Sequence, residues 1–180
     1  MANIIEAAKT GRSKCRGCGQ LIAAGSDRLG ERVPNPFDDE GGEKTDWFHL
    51  ACAAFMRPET FLVTVADTAA TIPDRARLEN EAKLGVKFRR LPRATKVERA
   101  PSGRAACRAC KKTIDKDAWR IALMYYEDGR FAASGTIHVS CAPAYLETAD
   151  VMVRLKHFTP SLTDADVAEI QALLNGGGAP

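Results

Sequence analysis

Cys15, Cys18, His49 and Cys52 recur as Cys107, Cys110, His138 and Cys141. This doubled pattern constrains the chain more than any other feature. It consumes all six cysteines and two of the three histidines. Two thiolates followed by a histidine and a third thiolate suit one tetrahedral Zn²⁺. The CxxC and HxxC steps each let two neighbouring side chains face one ion. The intervening 30 residues in the first copy and 27 in the second must fold back to join the half-sites. Two structural zinc ions per chain are therefore expected, with a disulfide framework as the alternative.

At 180 residues the chain is long enough for one or two domains, and the repeat argues for two. Each would be too small to depend on its apolar core alone, so metal-binding energy becomes folding energy. The composition, 45% hydrophobic and 27% charged, is that of ordinary globular material. No apolar run approaches the roughly 20 residues of a membrane span, and the N-terminus lacks a signal-peptide layout. Thiol ligands imply a reducing compartment: the bacterial cytoplasm and nucleoid, or the nucleus.

The net charge of +3 conceals a strong asymmetry. Residues 83–120 hold 13 of the 26 basic residues and 3 of the 23 acidic ones, a local excess of +10. Such a stretch is either a directed polyanion site or a solvated linker. The run Arg89-Arg90-Leu91-Pro92-Arg93 has the same two readings. As a site it would follow a nucleic-acid backbone with salt-dependent, sequence-independent affinity.

The expected fold class is α+β: two small zinc-stabilised domains, each a short antiparallel sheet with helices around a Cys₃His site. The first spans 1–85, a basic linker 86–99, the second 100–176 and a disordered tail 177–180. Alternation over Phe61 to Val65 suggests a short strand or a buried turn. Pro73 opens a helix from Asp74 to Leu84, ended by Gly85. Asp117 to Tyr126 reads as a strand, with Arg130 to Ala132 returning as its hairpin partner. Residues 161–174 form an amphipathic helix capped by Thr163 or Ser161 and stopped by Gly176. Trp47 and Phe48 are expected to pack around the first metal site, and His157 has no assigned role.

The stretches AKTGRSKCRGC and APSGRAACRAC, with the close Trp47-Phe48-His49-Leu50-Ala51-Cys52, resemble the poly(ADP-ribose) polymerase-type zinc finger. The segments Gly25 to Gly30 and Asp117 to Ala122 are similar to that family's arginine-bearing strand, and the last helix to its closing helix. The resemblance covers nearly the whole chain as two tandem fingers. It implies recognition of nicks or ends in double-stranded DNA, with structural zinc and backbone contacts. Arg12 and Arg104 match the arginine of the family's GR motif, and Arg28 and Arg120 match its strand arginine. These four would contact phosphates, and Phe131 would serve either as a base platform or as core. The acidic loop at 35–46 departs from the family pattern and points to a protein partner for the first finger, such as a repair enzyme. Two fingers leave no room for a transferase or ligase domain, so a stand-alone binding module is expected rather than an enzyme. The chain shows no open metal site, no spare nucleophilic cysteine and no Gly-rich phosphate loop.

Overall fold

The computed structural model describes residues 2–35, 41–127 and 130–176. The acidic stretch at 36–40, including Phe37, and the tail at 177–180 lie outside the described residues. Two compact units are present: Met1–Lys87 together with Tyr126–Phe131, and Phe88–Tyr125 together with Ala132–Pro180.

The first unit carries an antiparallel sheet of β1 (Ile4–Ala7), β2 (Asp27–Pro34) and β3 (Glu43–His49), in that order. Its helices are α1 (Leu50–Met56), α2 (Pro58–Ala66) and α3 (Arg75–Lys87). Ile22, Leu29, Phe48, Phe55 and Phe61 are fully enclosed and form its core.

The strand expected at Phe61 to Val65 is instead the middle of α2. Pro58 sits at the first helical position, where its missing N–H costs nothing. Phe61, Thr64 and Val65 are buried while Val63 is 62% exposed. That is the i, i+3, i+4 spacing of a helix face, and a strand would have put Val63 with Phe61 and Val65. The next helix also runs past its expected end. Gly85 is a buried residue within α3, which continues to Lys87.

The expected linker at 86–99 is also corrected. Leu91–Arg93 form a 3₁₀ turn, and β4 (Ala94–Arg99) pairs antiparallel with β5 (Trp119–Glu127). Leu91, Ala94, Thr95 and Val97 are buried, whereas Arg93, Lys96 and Arg99 are exposed. Basic side chains at the solvent-facing positions disguise a strand whose other face is core. The second sheet has the order β4-β5-β6, with β6 at Arg130–His138. Around it stand a 3₁₀ turn at Val139–Cys141, α4 (Ala142–Leu146), α5 (Met152–Phe158) and α6 (Asp164–Gly176).

The strand read at 117–126 forms as β5, beginning at Trp119, and its expected partner at 130–132 forms as the start of β6, which reaches His138; residues 128–129 lie outside the described residues. The last helix forms as α6. Thr163 caps it: its hydroxyl accepts the Asp166 N–H at 3.2 Å, and the Asp166 carboxylate accepts the Thr163 N–H at 3.0 Å. This reciprocal pair satisfies donors that the first helical turn leaves open. No helix among the described residues is long and apolar enough to cross a membrane.

Candidate metal centres

Each CxxC closes into a tight knuckle. In the first unit the Cys15 N–H donates to the Gln20 carbonyl and the Gly19 N–H to the Cys15 carbonyl, both at 2.8 Å. In the second the Cys107 N–H donates to Lys112 and the Lys111 N–H to Cys107, both at 2.9 Å. The turn demands a left-handed residue just after the second cysteine. Gly19 fills it at φ 75°, and Lys111 fills the same place at φ 65°.

The knuckle docks on the end of the last strand in the same way in both units. The Arg16 N–H donates to the Trp47 carbonyl at 2.8 Å, and the Arg108 N–H to the Thr136 carbonyl at 2.9 Å. That strand delivers the histidine. His49 and His138 share almost one backbone conformation, φ/ψ −57°/147° and −58°/146°. The chain then turns into a helical segment that supplies the final cysteine, from α1 at Cys52 and from the 3₁₀ turn at Cys141.

The result is two four-residue sets, Cys15, Cys18, His49, Cys52 and Cys107, Cys110, His138, Cys141. Within each, all ligand atoms lie within 4.8 Å of one another. The Nδ1 of His49 is 3.4 Å from the Cys18 sulfur, and that of His138 is 3.5 and 3.8 Å from the sulfurs of Cys110 and Cys141. A tetrahedral zinc with ordinary Zn–N and Zn–S bonds spaces such atoms about 3.6 Å apart. Both sets fit the ion, and four protein ligands close its coordination. The backbone N–H of each histidine also points at the first cysteine, 3.4 Å from the Cys15 or Cys107 sulfur, and stabilises a thiolate there. None of the six cysteines forms a disulfide, so the cystine alternative is set aside.

The electrostatics of the first set call for a cation. The Cys52 thiol, donating to Cys15, pulls the latter down to about 3; it also pulls Cys18 down to about 6. Those two thiolates in turn push Cys52 far above its usual range and raise His49 to about 9. Three thiolates and a neutral imidazole cannot coexist here on their own. A divalent ion removes the conflict. In the second set, burial first and then the neighbouring Cys107 push Cys141 up to about 12.

The arginines singled out from sequence divide into two kinds. Arg12 and Arg104 are exposed on the turns that precede the knuckles. Arg28 is 6% exposed, and both of its terminal nitrogens are engaged. It donates to the Glu6 carboxylate at 2.6 Å and to the Ser13 hydroxyl at 2.8 Å, and its guanidinium lies 3.5 Å over the Trp47 ring. That ring in turn covers Gly30, where an added Cβ would stand 2.7 Å from it. Arg120 is half-buried and donates to Glu98 at 2.6 Å. Neither strand arginine is a free phosphate donor in this conformation. Each is already held by a carboxylate on the neighbouring strand.

Phe131 lies within the first unit, half-buried, its ring centroid 4.7 Å from Tyr126 and 6.0 Å from Phe48. Tyr126 there donates to Asp46 at 3.3 Å and lies under Arg57 at 4.0 Å. Of its two readings, core packing is the one this conformation displays. Sequence reasoning missed Glu6 and Glu98. Both precede their arginines by 22 residues, a repeat that aligning the two halves exposes.

Residues 6–88 match the sequence model of the poly(ADP-ribose) polymerase and DNA-ligase Zn-finger region. The chain is also 30% identical over 134 residues to a poly [ADP-ribose] polymerase of Sarcophaga peregrina, covering 65% of this chain and 13% of the relative. It is 28% identical over 138 residues to that of Drosophila melanogaster, covering 69% and 14%. The chain thus spans about one seventh of the length of these relatives.

Proposed function

We propose that this chain, whose residues 6–88 match the Zn-finger region of poly(ADP-ribose) polymerase and DNA ligase, is a zinc-dependent DNA-binding module that recognises strand breaks. Contacts to the phosphate backbone dominate, with little sequence preference. The observation that carries this reading is the twofold recurrence of one scaffold. In both copies the closed Cys₃His set anchors a turn bearing an exposed arginine, Arg12 or Arg104. Guanidinium is planar, permanently charged and suited to bidentate phosphate contact.

The two units contribute unequally. The first holds 13 basic and 15 acidic residues, the second 13 and 8. Each Zn(Cys₃His) centre adds a further −1 to its unit. The second unit is therefore the main polyanion-binding half. Net negative charge favours a protein partner for the first, of the kind that acts on the same lesion. A chelator-sensitive increase in fluorescence anisotropy with nicked or blunt-ended duplex, and weaker binding to covalently closed circles, is the expected outcome. Equal affinity for closed and broken duplex would remove the break-specific part. Pull-down of a repair enzyme by the first unit after nuclease treatment tests the protein partner.

A further inference from the structure

Arg16 and Arg108 are structural equivalents, each donating its backbone N–H to the last strand of its sheet. Their side chains meet opposite electrostatics. The Arg16 Nε lies 3.4 Å from the carboxylate of Asp46, whose side chain is only 5% exposed. Asp46 is also 3.4 Å from the Lys44 ammonium and accepts from the Tyr126 hydroxyl. The cation on the first knuckle is thus neutralised locally.

The position equivalent to Asp46 in the second unit is Gly135. It has φ 90°, and the Arg108 side chain lies directly across it: an added Cβ would stand 2.9 Å from Cδ. Arg108 Nη1 donates to the Ser134 carbonyl at 2.8 Å. A carbonyl orients a guanidinium without cancelling its charge, and leaves Nε and Nη2 with donors in a fork. Lys111 donates its ammonium to the Arg108 carbonyl at 2.9 Å, again with no counter-charge, and Lys112 follows it. All three basic residues are exposed, and among the described residues Arg108 and Lys111 form no ion pair.

We infer that the Arg108–Lys111 zinc knuckle of the second unit is a phosphate-contact site for the DNA backbone. Asp46 closes the corresponding place in the first unit. The inference rests on the DNA-binding reading above and assigns to that reading residues outside the GR and strand arginines. Arg108 supplies an oriented fork for bidentate phosphate contact, and Lys111 a point charge beside it.

The test is fluorescence-anisotropy binding of a nicked duplex oligonucleotide by the full chain between about 50 and 200 mM salt. The proteins are wild type, Arg108→Gln, Lys111→Gln, Lys111→Glu and Arg16→Gln, each first shown to retain its bound zinc. Arg108→Gln and Lys111→Gln should each lower the salt slope by about one. Lys111→Glu should weaken binding more than Lys111→Gln, because it brings a carboxylate to the knuckle. Arg16→Gln should leave the slope unchanged. An unaltered slope in both Arg108→Gln and Lys111→Gln overturns the inference while the DNA reading survives. So does an equal loss in Arg16→Gln. Absence of wild-type binding to the nicked duplex defeats the DNA reading itself, and this inference with it.

Discussion

Glu98 stands directly opposite Arg120 across β4 and β5 and accepts its guanidinium at 2.6 Å. Glu6 and Arg28 repeat the relationship at the same register between β1 and β2, also at 2.6 Å. In both units the pair joins the first strand of the sheet to the second. The strand arginine therefore ties together the first two strands of its sheet, and Arg28 is further held by Trp47.

Neutralising the carboxylate should destabilise the first unit more than the second. Glu6→Gln leaves a nearly enclosed Arg28 without its ion partner, at a cost of about 3 kcal/mol. Arg120 keeps more contact with water, so Glu98→Gln should cost about 1 kcal/mol. Denaturant unfolding of the zinc-loaded protein measures both. The Glu98 carboxyl is held below its usual 4.5 by Lys96 and then Arg120. A depressed carboxylate stabilises the fold above its unfolded pKa, and that contribution fades as pH falls through the lowered value. Glu98→Gln should therefore lose less stability than wild type on acidification below about pH 4.5.

Zinc affinity should rise with pH. Cys52 is pushed far up and His49 to about 9 when the ligands face only one another. Both must give up protons to bind the metal, so uptake releases protons and acid opposes it. Competition with a chelator from pH 6 to 8 should show steadily tighter retention, and proton release should be visible in weakly buffered solution. Complete metal removal should unfold both units, read as loss of the cooperative thermal transition.

The two knuckles make a reciprocal pair of backbone tests. Gly19 takes φ 75° with nothing within 4 Å of an added Cβ, so Gly19→Ala carries only the left-handed penalty, about 1 kcal/mol. Lys111 already bears that strain at φ 65°. Lys111→Gly should raise stability by about 0.5–1 kcal/mol, offset in part by greater freedom in the unfolded chain. Thermal unfolding should move in opposite directions for the two variants.

The helical conformation of the Phe61 to Val65 segment is open to a simple comparison. In α2, Val63 is 62% exposed and Val65 only 1%. Val63→Ala should change stability by less than about 0.5 kcal/mol. Val65→Ala should cost about 2 kcal/mol through lost burial and the cavity left behind. Similar losses at both positions would indicate the alternating strand that the sequence suggested.

What was legible in the sequence was local or chemically exclusive. Eight ligands, the strand at β5 and the cap of α6 all announce themselves within a few residues, because ligand spacing, β-branched and aromatic runs, and capping groups act at short range. β4 was hidden because its exposed face is basic and reads as a solvated linker. The helix at α2 was hidden because five apolar-rich residues satisfy either period until one face is buried. The destiny of each arginine was decided only by tertiary structure. Arg28 and Arg120 acquire carboxylate partners 22 residues earlier in the chain, and Asp46 neutralises Arg16 while Gly135 leaves Arg108 charged. Charge compensation depends on distance through space, and a sequence lists charges without stating which ones meet.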